Sequence, residues 1–186
     1  MLKARLVAGL LALALAATVP SMNARPAQAS SAADINRDAN AALATLYEKT
    51  PEAKKLATRA KGILVFPTIL KAGFLFGAQY GEGALRRGHR TAGYYNTVAA
   101  SYGWQAGVQA FGYVMFFMTD SALNYLSQSD GFEFGVGPSV VVLDQGMAGS
   151  LTSSTVQSDI YAIVFDQTGL MAGVGLQGSK ISRIDK

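Results

Sequence analysis

Apolar positions change their period once along this chain. Between residues 31 and 61 they recur at helical spacing: Ile35, Ala39, Ala42, Leu43 and Leu46 form one stripe, and Ala53, Leu56, Ala57 and Ala60 a second. Thr50-Pro51-Glu52 separates the two stripes. Thr50 is placed to cap, Pro51 suits a first helical turn, Glu52 complements the dipole, and Gly62 stops the second helix. From Ile63 onward the 3.6-residue rhythm is replaced by Gly, Val, Phe and Tyr runs broken by turn signals. The pattern predicts strands near 63–66, 72–86, 91–102, 104–118, 132–143, 146–156, 159–166 and 170–182, with Pro67, Arg87-Gly88, Asp130-Gly131, Asp144-Gln145-Gly146 and Gln167-Thr168-Gly169 between them. One short helix interrupts the series, where Thr119 and Asp120 precede Ala122, Leu123 and Leu126.

Glycine parity refines this picture. Gly73, Gly77, Gly81 and Gly83 fall on one strand face, with Phe74, Phe76, Ala78 and Tyr80 on the other. Gly103 with Gly107, Gly135 with Gly137, and Gly173 with Gly175 repeat the arrangement. A glycine-lined face admits close approach of another backbone, or marks a bend. The expected fold class is therefore α+β: N-terminal helices packed on a strongly curved antiparallel β-sheet or sandwich, with one further short helix.

The first 29 residues have a different character. Lys3 and Arg5 precede an apolar run from Leu6 to Thr18, Pro20 breaks it, and Ala27-Gln28-Ala29 fits a small-x-small cleavage pattern. The expected organisation is a signal peptide at 1–29, a helical segment at 30–50 and an α+β domain at 51–186, in an exported protein of the periplasm or outer cell envelope. The apolar run is too short for a membrane-spanning helix, which needs about 20 apolar residues. This segment also alters the charge. The full chain carries 16 Lys and Arg against 12 Asp and Glu, but three of the cations lie in residues 1–29, leaving 13 against 12. A nucleic-acid partner is not expected from so small a net charge.

Several chemistries are excluded by residue type. There is no Cys, so disulfides, thiolate metal sites and a lipidated cysteine are excluded, and the single histidine, His89, excludes a multi-histidine metal site. Gly83 is followed by Ala84-Leu85, which is not a P-loop. Ser150, Ser153, Ser154 and Ser158 lie in no GxSxG elbow. Glu82, with Arg86 four residues on, reads as an ion pair, and Asp144, Asp159 and Asp166 as turn caps at strand ends. The expectation is a non-catalytic protein without cofactor or metal.

Candidate binding residues are cationic. Arg86, Arg87 and Arg90 cluster with His89 at a hairpin tip, where guanidinium forks and turn N–H groups suit phosphate oxygens. Lys54, Lys55, Arg59 and Lys61, joined by Lys71, form a second cluster. A solvated turn and a soluble helix face account for the same residues without any ligand. Thr91–Thr119 has no charged residue and holds Tyr94, Tyr95, Tyr102, Trp104, Phe111, Tyr113, Phe116 and Phe117, a stretch suited to a core or to a membrane–water boundary.

Taken in order, Ala60-Lys61-Gly62-Ile63-Leu64-Val65-Phe66-Pro67, Lys71-Ala72-Gly73-Phe74, Gly77, Tyr80-Gly81-Glu82-Gly83, Gly103-Trp104-Gln105-Ala106-Gly107, Phe134-Gly135, Gly169-Leu170-Met171-Ala172-Gly173-Val174 and Gly178-Ser179 resemble the SYLF domain family over roughly Thr50 to Ile184. That family comprises lipid-binding modules of bacteria and eukaryotes, and includes yeast proteins described as actin-binding. The chain departs from it in lacking a Gly-Pro step between Val140 and Gln145. The resemblance implies anionic phospholipids or a membrane surface as partner. It places the nearest counterparts of the eukaryotic phosphoinositide-binding surface at Lys54, Lys55, Arg59 and Lys61. An exported bacterial chain would not meet actin. The alternatives are a small outer-membrane β-barrel, suggested by eight candidate strands in an exported chain, and a protein-interaction domain.

Overall fold

Two helices, α1 (Ala32–Lys49) and α2 (Pro51–Arg59), precede a sheet in this computed structural model, which describes residues 30–73, 76–102, 107–128, 131–150, 157–169 and 178–186. The Ser31 hydroxyl caps α1 by accepting from the Asp34 N–H at 3.2 Å, and Asp34 and Lys49 stand at the dipole ends that favour them. Thr50 serves differently from its expected side-chain cap. Its N–H closes α1 on the Leu46 carbonyl at 2.8 Å, its own carbonyl accepts from Ala53 at 3.0 Å, and its hydroxyl makes no capping bond. A single residue shared by two helices has both backbone groups committed.

The strands are β1 (Gly62–Gly73), β2 (Phe76–Arg87), β3 (Arg90–Tyr102), β4 (Gly107–Phe117), β5 (Phe132–Glu133), β6 (Val140–Asp144), β7 (Ile160–Gly169) and β8 (Lys180–Ile184). Helix α3 (Asp120–Gln128) follows β4, with the Thr119 hydroxyl accepting from the Ala122 N–H at 3.2 Å. The strands make one curled sheet in the order β5-β8-β3-β2-β1-β4-β7-β6, antiparallel except for the parallel pair β6 and β7. The α+β architecture expected from the pattern is therefore observed, with a parallel edge added. The order runs from one edge strand to another, so among the described residues the sheet is open where the barrel alternative requires closure.

Strand boundaries differ from expectation at several points, and β7 runs on through Gln167-Thr168-Gly169, which was expected to separate strands. Pro67 lies inside β1, at a bulge where the register shifts against both neighbours, because a proline without N–H is tolerated where pairing is already broken. The run 72–86 divides into the end of β1 and all of β2. The run 132–143 yields only short β5 and β6, since Gly135 and Gly137 take φ of +98° and +94° and turn the chain. Met147–Ser150 forms a 3-10 turn where a strand was expected.

Close approach at the bulge requires small residues across from it. A Cβ on Gly81 would stand 2.6 Å from Ile69 Cγ1, and one on Gly83 would collide with the Val65 carbonyl. These two glycines let β2 follow the fold in β1, which curls the sheet. The glycines at 103, 173 and 175 lie outside the described residues, as do the signal-like segment, Phe74, Trp104, Ser153, Ser154 and Leu170–Val174.

At the end of the sheet near the helices, both faces are buried. On one, α1 and α2 cover Val65, Ala84, Val114, Phe116, Ile163 and Phe165. On the other, Leu123 and Leu126 of α3, with Phe132 and Phe134, cover Leu64, Phe66, Tyr113, Met115 and Phe117. Tyr95, Phe111, Tyr113, Phe116 and Phe117 of the charge-free stretch are thus core residues. No described helix is long and apolar enough to cross a membrane.

Candidate functional site

The β2–β3 hairpin carries the first cationic cluster. Arg87 and Arg90 face each other across the turn at Gly88-His89, where Gly88 has φ +59°, and both side chains are exposed. Arg86 lies one residue inside and points to the opposite strand face, toward α1, where it is half-buried. Its Nη1 donates to Thr91 Oγ1 at 2.8 Å and to Asn36 Oδ1 at 3.3 Å. Thr91 Oγ1 donates to Asn36 Oδ1 at 2.6 Å, and Asn36 Nδ2 donates to the Tyr94 hydroxyl at 2.7 Å. Neutral oxygens therefore orient the guanidinium, and no carboxylate of the described residues pairs with it.

Helix α2 brings Lys54 to the same place. Lys54, Arg86 and His89 rim a cleft of about 570 Å³ whose floor is Leu43, Tyr47, Ala57 and Ile63. Burial pushes the Tyr47 phenol up to about 12, so it enters the cleft as a neutral hydroxyl. Three polar groups able to donate hydrogen bonds over an apolar floor suit an anion attached to an apolar body.

The other predicted residues are distributed more widely. Arg59 is exposed in the last turn of α2. Lys55 stands 4.0 Å from Glu52, and Lys61 stands 3.9 Å from Asp120. Lys71 does not join them. It pairs in register with Gln79 and Gln109 on the sheet face away from α1 and α2, ten residues and about 30 Å along β1 from Lys61. The two clusters expected from sequence thus meet at the shared cleft, one contributing Lys54 and the other Arg86 and His89.

Glu82 is also not where the local sequence suggests. It shares a face with Arg86, but four residues of strand separate them by about 13 Å. Its partner is Lys186, whose Nζ donates to both carboxylate oxygens at 3.0 Å. Asn36 and Thr91, which orient Arg86, were invisible as functional residues because their partners are 50 and 5 positions away and neither carries charge. Of the three acids expected as turn caps, Asp144 and Asp159 serve at strand ends, whereas Asp166 lies inside β7 and forms an ion pair instead. Asp144 accepts from the Met147 N–H at 2.7 Å, Asp159 accepts from the Ser139 N–H and hydroxyl, and Asp166 pairs with Lys49 at 2.9 Å.

A second surface lies at the other end of β2. Helices α1 and α2 do not extend over it, and Phe76, Val108 and Leu70 are 74%, 62% and 58% exposed, with Tyr80 and Val98 nearly half exposed. The cross-strand pairs Leu70 with Tyr80 and Tyr80 with Val98 make this one continuous apolar row.

Residues 98–186 match a family model, Ysc84, described as Las17-binding protein actin regulator. No curated protein matches the chain. The matched span contains β4 through β8, whereas the cationic cleft is built from residues before it.

Proposed function

We propose, from the similarity of residues 98–186 to that family model and the resemblance of the chain to SYLF domains, that this is an exported, non-catalytic module that binds anionic phospholipid headgroups at the periphery of a membrane. The observation that carries this reading is the Arg86 guanidinium. It is held in place by Asn36 and Thr91, left without a carboxylate among the described residues, and set beside Lys54 and His89 above an apolar floor.

A phosphate oxygen meets the guanidinium fork there, while the glycerol and first methylenes rest on Leu43, Tyr47 and Ile63. Each cation near an anionic surface contributes about 1 kcal/mol, so Lys54, Arg86, Arg87 and Arg90 together give about 4 kcal/mol, which corresponds to a Kd of about 1 mM. Apolar contact with the cleft floor strengthens this further. The signal-like sequence of residues 1–29 supports a location outside the cytoplasm, in the periplasm or outer envelope. The family description names an actin regulator, a role an exported chain of this kind does not share.

Co-sedimentation with vesicles tests the reading. The chain binds phosphatidylglycerol vesicles at low salt, binds less at high salt, and ignores phosphatidylcholine. Replacing Lys54 and Arg86 together by Ala weakens binding about thirtyfold, the equivalent of two lost contacts. Equal sedimentation of both vesicle types at every salt concentration refutes it. The exposed Phe76–Leu70–Val108 surface favours one other reading, in which that end inserts among acyl chains. Binding would then resist salt and fail with Phe76→Ser and Leu70→Ser.

A further inference from the structure

One polar cluster on the helix-side face serves neither the cleft nor the core. The side chains of Glu82 and Lys186 are only 9% and 11% exposed. Both oxygens of Glu82 accept from Lys186 Nζ at 3.0 Å, and the Tyr80 hydroxyl donates to Oε1 at 2.7 Å. The backbone N–H of Ser30 donates to Oε2 at 3.2 Å, and Lys186 Nζ also donates to the Ser30 carbonyl at 3.0 Å. Ser30 is therefore held at both its backbone groups by an ion pair drawn from β2 and the chain after β8. Helix capping does not require this, because Ser31 already caps α1.

The nitrogen at the centre of the cluster is also the nitrogen of the Ala29–Ser30 bond, which directly follows Ala27-Gln28-Ala29. We propose that the Ala29–Ser30 bond is the processing site, and that the amino group released by its hydrolysis becomes a ligand of Glu82, so that maturation itself fastens α1 to β2. The inference rests on the export part of the reading above and adds a site and a consequence to it. A leader peptidase adds one water across the amide. The Ala29 carbonyl carbon keeps the hydroxyl oxygen and leaves as a carboxylate on the released leader, and the Ser30 nitrogen takes up protons to become an ammonium. A neutral donor beside Glu82 is thereby replaced by a charged one on the same atom.

The charged and titratable groups around that atom are few. Lys186 is cationic, and Tyr80 is held up at about 12 by burial and by Glu82, so it stays neutral. The register neighbours of Glu82 are Thr68 on β1 and Asn96 on β3, both neutral, and Asp34 on α1 is occupied by Ser31 and Arg37. Glu82 itself is raised by burial but lowered more by Tyr80, Lys186 and the Ser30 N–H, so it is ionised when the ammonium forms. The carboxylate raises the amino-terminal pKa and Lys186 opposes it.

The full chain is secreted from a bacterial host, and the product is read by intact mass and amino-terminal sequencing. The first residue is Ser30. The α-amino group is then labelled by reductive methylation with ¹³C-formaldehyde and titrated by NMR. Its pKa lies about one unit above the ordinary amino-terminal value of about 7.7–8.0, and Glu82→Gln returns it to that range. Lys186→Met moves it in the opposite direction, which keeps the test decisive if the Gln variant folds poorly. An uncleaved product overturns the export reading and this inference together. Cleavage at another bond overturns the processing site and leaves export standing. A Ser30 amine with the same pKa in the parent and both variants overturns the contact with Glu82 alone.

Discussion

The two ends of β2 present the same sheet face to different surroundings. At the Arg86 end, α1 and α2 cover that face, and the groups left at its margin are Lys54, Arg86 and His89. At the Phe76 end no described helix covers it, and Phe76, Tyr80, Leu70, Val98 and Val108 are exposed. The strand alternates identically at both ends, so the difference is not set by the strand. It is set by helix reach: α1 has 18 residues, about 27 Å, and its start is fixed beside Glu82 in the middle of β2. Amphipathic alternation tells which side chains share a face. Only the length and starting point of the covering helices tell which of them are dry.

Substitution of one aromatic residue at each end breaks this comparison most sharply. Phe116 lies fully buried under the helices, so Phe116→Ala costs about 3–5 kcal/mol in urea unfolding, whereas Phe76→Ala stays within about 0.5 kcal/mol. Similar losses at both sites would mean that the far end is covered after all.

The point where the helix begins provides the next effect. Because the folded-state pKa of Glu82 is depressed, its stabilisation is fully present above the ordinary carboxylate pKa and is lost as pH falls through the lower folded value. Unfolding free energy should decline on acidification in that window, and Glu82→Gln should remove about 1.5–3 kcal/mol at neutral pH while flattening this part of the decline. An unchanged pH profile in the variant would detach α1 from this anchor. The smallest effect concerns charge alone. Arg86→Ala should weaken binding to anionic vesicles about fivefold, and Lys71→Ala, on the opposite face, should leave it unchanged. Equal losses would make the response a matter of total charge and remove the role of the cleft.

Much of the fold was legible because its elements differ in period. The stripes of α1 and α2, the Thr119-capped α3 and the Gly88-His89 hairpin all follow from local spacing and turn chemistry. Pro67 misled because proline ordinarily ends a strand, and here a bulge against Gly81 and Gly83 absorbs it. The parallel pairing of β6 with β7 has no local signal, since it depends on where the chain returns after β6. The site was legible in its cations and illegible in its geometry. Composition identified Lys54 and Arg86, but the contact of Asn36 with Arg86 and that of Lys186 with Glu82, 104 positions apart, are products of tertiary folding.

The outermost strands of the sheet have a further consequence. Among the described residues β5 contributes two residues and β6 five, so the outermost strand at each rim of the ladder is short. Short outer strands are poor templates for fibril-like stacking of one copy on the next. Crowding at high concentration should accordingly drive contact through greasy side chains, reversible on dilution, and not through irreversible backbone-to-backbone growth.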